Sequence, residues 1–134
     1  MALGKIKADT LEHSTSGSVD TKYVVEGSAK AWASIDQDTT DHPTLDALNI
    51  SSTADIATGV TKITFTNSFS NSNYAISGAG QAQNESGGIF GLWGRATTST
   101  RQMTSTDFHT DIRTTAGGNR DLEYFGTLVH GDLA

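Results

Sequence analysis

Histidines and closely spaced carboxylates are the side chains of this sequence most able to bind a metal or move a proton. The four histidines lack the HxH and HExxH spacings of common zinc sites. His109 and Asp111 do have the i, i+2 spacing that places two side chains on one face of a strand. A solvated strand face explains this pair more simply than a metal does, so we predict no metal there.

A second group of carboxylates lies in the polar segment 36–46, which contains the only proline of the chain. Such a loop could offer calcium several of the about six to eight oxygen ligands that it takes. The order of an EF-hand is not followed, because its central glycine and closing glutamate are missing. We interpret the segment as an exposed acidic turn and expect no metal or other cofactor. Its carboxylates belong to Asp36, Asp38, Asp41 and Asp46.

Covalent catalysis has no recognisable signature in the sequence. There is no cysteine, and no GxSxG elbow presents a serine. The glycines at 78–80 and 87–88 are not followed by a helical pattern, so no phosphate-binding loop is predicted. A glycosidase needs two carboxylates, and spacing alone does not identify such a pair. We predict that the protein is not an enzyme, although carboxylates of the right type occur at Asp107, Asp111, Asp121 and Glu123.

Large aromatic rings are the alternative source of a functional surface, because a ring can present a flat apolar face to a ligand. Trp93 lies in a glycine-rich segment, and Trp32 and Tyr74 lie in strand-like segments. Core packing explains the same rings equally well. The acidic segment is the other candidate surface. The residues that we select for contact with a partner or a host glycan are Trp93, Tyr74, Trp32, Asp38, Asp41 and His42.

Charge and composition exclude several classes of partner. The chain has 134 residues, a formal net charge of −6 and nine scattered Lys and Arg residues, so it lacks the basic patch of a nucleic-acid-binding protein. No apolar run approaches the about 18 residues that a membrane span needs. Residues 1–13 lack the apolar stretch of a signal peptide. We expect synthesis in a cytosol, without nucleic-acid binding or membrane insertion.

Alternation of apolar and polar residues dominates the chain and predicts an all-β protein. About eight strands at near-regular spacing favour an antiparallel β-sandwich or jelly-roll-like domain over residues 21–134, preceded by an N-terminal arm at 1–20. Single helical turns are expected at 8–13 and 44–48, and a loop at 36–46. The strand-like segments are 21–26, 28–35, 47–52, 60–66, 74–80, 88–98, 101–106, 107–114 and 121–130.

The residue pattern in the middle of the chain predicts which side chains form the hydrophobic core. Residues 47–66 are expected to form a hairpin that turns near 57–59, followed by a polar loop at 70–73. The side chains expected on one buried face are Ile63, Phe65, Tyr74 and Ile76, with Phe69 closing the corner between strands. Only 26 of the 134 residues are Ile, Leu, Val or Phe. Because this core is thin, we expect additional burial between subunits.

Two long stretches resemble small β-rich structural proteins of tailed-phage virions, many from marine and cyanobacterial hosts. These are LEHSTSGSVDTKYVVEGSAKAW (11–32) and LNISSTADIATGVTKITFTNSFSNSNYAISG (48–78), and the closing VHGDLA (129–134) is similar as well. After KAW, the family often has a Gly/Thr-rich turn where this chain has the acidic segment. The TFTxxFxxxxY block within 64–74 is also similar to a strand pair of H-type lectins, which are trimeric sandwiches.

The resemblance implies a surface-displayed homotrimer on a virion, of tail-fibre or host-adsorption type, that contacts other virion proteins. Synthesis in the host cytoplasm would precede assembly. Two alternatives stay open: a capsid decoration protein that stabilises the head, and a lectin-like carbohydrate-binding module. The N-terminal arm is the expected attachment segment, and the residues selected for it are Lys5, Ile6, Lys7 and Leu11.

Overall fold

The computed structural model describes residues 7–81, 89–93, 103–114 and 117–134, with the backbone alone for 89–93 and 114. Within these ranges the chain forms ten strands and one short helix. The prediction of a β-rich chain with antiparallel sheets is confirmed. The elements are β1 (Thr10–His13), β2 (Gly17–Asp20), α1 (Thr21–Gly27), β3 (Ala31–Ile35), β4 (Thr44–Leu48), β5 (Ile50–Ala57), β6 (Val60–Phe65), β7 (Ala75–Gln81), β8 (Ile89–Trp93), β9 (Asp107–Thr114) and β10 (Tyr124–His130).

Eight of these strands form two four-stranded sheets. Sheet 1 has the order β4-β3-β10-β7, and sheet 2 has the order β5-β6-β9-β8. Neighbouring strands run antiparallel in both sheets. In the described part of the chain, β1 and β2 pair with each other alone, as a separate hairpin that leads directly into α1.

The hydrophobic core contains side chains from both four-stranded sheets. Alternate residues of a strand point to the same side, so each sheet contributes residues at alternate positions of its central strands. The ring centroid of Phe65 lies 4.7 Å from that of Phe69 and 5.5 Å from that of Tyr74. The expected burial of these three rings and of Ile63 is confirmed. The core consists of Ala31, Ala33, Ile35, Ile63, Phe65, Phe69, Tyr74, Phe108, Ile112, Leu122, Phe125 and Val129.

Asn49 carries the chain from sheet 1 to sheet 2. Its φ of 58° places it in the left-handed region, which asparagine tolerates better than most residues. Its side-chain oxygen accepts a hydrogen bond from the Asn67 backbone N–H at 2.7 Å. The expected hairpin is confirmed as β5 and β6, but the expected strand at 47–52 is wrong, because this turn divides it between β4 and β5.

The expected strand at 21–26 is also wrong, because these residues form α1. The strand preference of Val24 and Val25 depends on packing against a neighbouring strand, and no residue of α1 is buried. Hydrogen bonds and an ion pair within and next to this segment stabilise the helical conformation instead. The Thr21 backbone N–H donates to the Asp9 carbonyl at 2.9 Å, and Lys22 lies 4.0 Å from Glu26 in an i, i+4 pair.

The remaining corrections concern short segments. The expected helical turns at 8–13 and 44–48 are wrong, because these segments form β1 and β4, and each of these strands pairs with a neighbouring strand. The loop expected at 36–46 therefore ends where β4 begins, at Thr44. In the described part of 101–106, a turn replaces the expected strand, with the Thr104 N–H donating to the Asp107 carbonyl at 2.8 Å. The N-terminal hairpin raises the number of described strands to ten, above the about eight expected.

Candidate functional site

A buried cluster of polar side chains around His42 contains groups that could transfer a proton. His42 itself is 2 % exposed. Its Nδ1 lies 2.7 Å from the Thr61 hydroxyl. Its Nε2 lies 3.6 Å from an Asp55 carboxylate oxygen and 3.7 Å from one of Asp121. We name these residues, with Gln37 and Thr110, the His42 cluster.

Gln37 fixes the direction of the hydrogen bonds in this cluster. Its side-chain oxygen accepts from the Leu122 backbone N–H at 3.3 Å, so its amide nitrogen donates to the Thr61 hydroxyl at 2.7 Å. The Thr61 proton is then free to be donated to His42 Nδ1. A neutral His42 with its ring proton on Nε2 would match this arrangement and would direct that proton toward the two carboxylates.

The order hydroxyl, imidazole, carboxylate is that of a nucleophile, its base and an orienting acid. Catalysis needs the nucleophile to reach a substrate, however, and Thr61 is 0 % exposed. The cluster therefore acts as a satisfied polar part of the interior that ties the 36–43 loop to β6, β9 and the segment before β10. Among the described residues, no group of three His, Asp or Glu side chains, the His42–Asp55–Asp121 group included, has an arrangement that could hold a metal ion.

The backbone of the acidic segment separates the residues selected there. Asp41 and His42 have φ values of 71° and 48°, and the His42 N–H donates to the Thr39 carbonyl at 3.1 Å. This tight turn points His42 inward and leaves Asp38 and Asp41 exposed. The three residues selected as one contact surface thus lie on two sides of the loop.

Tyr74, another of the residues selected for partner contact, is buried, and its hydroxyl is hydrogen-bonded within the protein. The hydroxyl donates to the Thr104 carbonyl at 2.9 Å and lies 3.1 Å from the Asp107 carbonyl. Burial, and then the nearby charge of Asp107, raises the pKa of Tyr74 above its ordinary value. Its ring is a core element beside Phe65, and little of it faces solvent.

A polar groove of about 380 Å³ adjoins this region. Its rim carries exposed amides of Asn71 and Asn73 together with His130 and Asp132. The two aromatic residues that line it, Phe69 and Tyr74, are both buried. The groove offers hydrogen-bonding groups without an exposed ring to stack on a sugar.

Trp32 lies on the outer face of sheet 1, within a row of large apolar side chains. In the strand register it lies directly between Leu48 of β4 and Leu128 of β10. Leu48 and Leu128 are both about half exposed. Beside this row, the small residues Ser34 and Gly126 help to line a shallow groove of about 370 Å³. The result is an apolar ridge next to an uncharged groove.

Residues 10–27, which we name the N-terminal unit, also expose apolar side chains. Leu11 and Val19 face each other across the hairpin, and both are exposed. Tyr23 and Val25 of α1 are more than half exposed. Lys7, one of the selected attachment residues, lies beside Leu11 and α1 in a groove of about 390 Å³.

Three of the selected residues have side chains that lie outside the described part of the chain. Lys5 and Ile6 fall outside the described residues. Trp93 ends β8 opposite Thr110 of β9, and its side chain falls outside the description. The site assignments for these three residues remain predictions.

The His42 cluster was missed at the sequence level, although a signal existed. Thr61 is in phase with inward-facing Ile63, and Thr110 is in phase with Phe108 and Ile112. A polar residue at an inward position of a strand needs a buried partner. The identity of that partner, His42, depends on contacts between distant parts of the chain.

In the described part of the chain, no helix has the length and apolarity required to cross a membrane. Comparisons of the chain with protein-family models, with curated proteins and with solved structures found no match.

Proposed function

We propose that this protein is a non-enzymatic structural component of a tailed-phage virion, a homotrimeric module of tail-fibre or adsorption type displayed on the particle surface. The proposal starts from the resemblance of residues 11–32, 48–78 and 129–134 to such proteins. In this account the 28–134 region is the displayed module, and the attachment arm predicted at 1–20 is extended to residue 27, because α1 follows its hairpin directly and contributes no buried residue.

The observation that carries the proposal is the position of the N-terminal unit. None of its residues belongs to the hydrophobic core, and its hairpin pairs with neither four-stranded sheet in the described chain. Five of its apolar side chains are nevertheless exposed, which is costly unless a partner covers them. They are Leu11, Val19, Tyr23, Val24 and Val25. Attachment to another virion protein would supply that cover.

The proposed module is a β-sandwich of the jelly-roll-like kind. Two four-stranded antiparallel sheets contribute to one core, as such an architecture requires. The link at Asn49 passes from one sheet to the other between consecutive strands. The small core and the apolar outer face of sheet 1 support association into a trimer.

Incorporation into particles tests the attachment role. A chain lacking residues 1–27, and a full chain carrying Leu11→Asp, should keep the strand signal in circular dichroism but be lost from purified virions. Ile56→Asp is the matched control, because Ile56 is 41 % exposed and Leu11 47 % exposed. The control should be incorporated normally.

Full incorporation of both N-terminal variants would overturn the attachment role. Immunogold labelling of wild-type particles then distinguishes the proposed function from its two alternatives. Label on the tail supports the proposed role, and label spread over the shell supports capsid decoration. Absence from particles together with glycan binding that Trp93→Ala abolishes would support the lectin-like alternative.

A further inference from the structure

The outer faces of the two four-stranded sheets differ in chemistry. On the two central strands of sheet 2, β6 and β9, the residues that alternate with the core positions are mostly polar or charged. Lys62 lies 3.8 Å from Asp107, and Arg113 lies 3.1 Å from Asp111. His109 and Asp111 on this face are only 7 % and 6 % exposed, so the solvated strand face predicted for this pair is wrong, although the face that they form is polar.

The outer face of sheet 1 departs from that arrangement. The row Leu48–Trp32–Leu128 crosses three adjacent strands at one level, and Tyr124 is exposed further along β10. Cross-strand neighbours of this size pack against each other but leave their outer surfaces in water. A contiguous exposed apolar patch of this kind marks an interaction surface.

We propose that the outer face of sheet 1 is the surface through which copies of this chain associate, with Trp32, Leu48 and Leu128 at its centre. The inference rests on the proposed homotrimer and names the face that would form it. The ridge of one copy would enter the neighbouring groove of another, whose floor is formed by small residues such as Ser34, Gly126 and Ala79.

Charge favours a second copy as the occupant of this face. Every copy has a formal net charge of −6, so most pairs of surfaces would bring like charges together. The groove beside the ridge is lined by uncharged residues. The one carboxylate at the Ser34 level, Asp46, lies on the edge strand β4. The ridge of each copy can therefore meet the groove of the next copy around the trimer without opposing charges at the centre.

The size of the face sets the expected strength of association. Four strands about 4.8 Å apart and about six residues long, at about 3.4 Å each, give a footprint of about 400 Å². A standard stable interface buries about 800 Å² of accessible surface on each partner. Association through this face is therefore expected to be reversible and dependent on concentration.

Sedimentation velocity from about 1 to 100 µM protein tests the proposal. Leu128→Asp should raise the dissociation constant at least about 100-fold, because a charge replaces a central apolar contact. Leu48→Asp, on the edge strand, is a second variant that disturbs the fold less. Ile56→Asp is the matched control, since Ile56 is 41 % exposed and Leu128 45 % exposed, and it should leave the constant within about threefold. Circular dichroism checks that each variant is folded.

Oligomers that withstand both charged substitutions would overturn the assignment of this face and leave the virion role intact. A wild-type chain that stays monomeric at about 100 µM would overturn self-association and leave the face to a partner of different sequence. Failure of the virion role is separate, because it would be seen as absence of the wild-type protein from particles.

Discussion

At the scale of single residues, the structure turns several polar side chains inward and satisfies each of them. Among the described residues, no buried side-chain nitrogen or oxygen lacks a hydrogen-bond partner. His42 joins several parts of the chain, since its ring contacts β6 and lies near β5 and the segment before β10. Its role in this account is to hold the 36–43 loop against the sheets.

His42→Asn should lower the free energy of unfolding by about 1–3 kcal/mol, because the shorter side chain leaves the Thr61 end of the network without its partner. Asparagine suits the left-handed backbone at this position, so the change reports on the side chain. Urea denaturation measures the effect. Asp38→Asn, in the same loop but exposed, is the control, and equal stability losses in the two variants would contradict the role of His42.

Tyr74 predicts a dependence of stability on alkaline pH. In the unfolded chain its phenol loses a proton near pH about 10, whereas burial and the charge of Asp107 raise the pKa of Tyr74 in the folded protein. The stability that Tyr74 contributes is therefore complete below about pH 10 and is lost as the pH rises above that value. The urea midpoint should fall more steeply above about pH 10 in the wild type than in Tyr74→Phe. Equal slopes in the two proteins would contradict this prediction.

At the scale of elements, the turn at Gly59 joins the β5–β6 hairpin to the rest of sheet 2. Gly59 has a φ of 74°, its carbonyl accepts from the Ile112 N–H at 2.8 Å, and its N–H donates to Asp121 at 2.6 Å. A Cβ at this position would lie 2.5 Å from the Ile112 carbonyl oxygen. Only glycine satisfies both the backbone angle and this close approach.

Gly59→Ala should destabilise the protein by more than about 2 kcal/mol, because it adds a backbone clash to the strain of a positive φ. Gly117→Ala is a matched control, since Gly117 has a φ of 83° but no atom within 4 Å of an added Cβ. Thermal unfolding of both variants measures the difference. A loss at Gly59 no greater than that at Gly117 would show that the close approach to Ile112 has little energetic weight.

The sequence predicted the strands whose inward and outward faces differ clearly in polarity. β6 and β9 lie where alternation placed them, because Ile63 and Phe65, and Phe108 and Ile112, share faces that must be buried. α1 was mistaken for a strand, because valines favour strands only where a neighbouring strand exists. The His42 cluster escaped prediction because its contacts join residues 13 or more positions apart.

At the scale of the whole molecule, the described residues leave two surfaces apolar after the core has formed. The N-terminal unit exposes its side chains at one end of the chain, and the outer face of sheet 1 exposes the row around Trp32. In the proposed account each has its own partner. Other virion proteins cover the N-terminal unit, and copies of the same chain cover sheet 1.

The most direct test of the central claim is the amount of this protein in purified virions, measured by quantitative mass spectrometry against the major capsid protein. The account predicts that the protein is present at a few to a few dozen copies per particle, in a multiple of three. Hundreds of copies would instead favour decoration of the capsid. Absence of the wild-type protein from particles, when it is abundant in infected cells, would contradict the central claim.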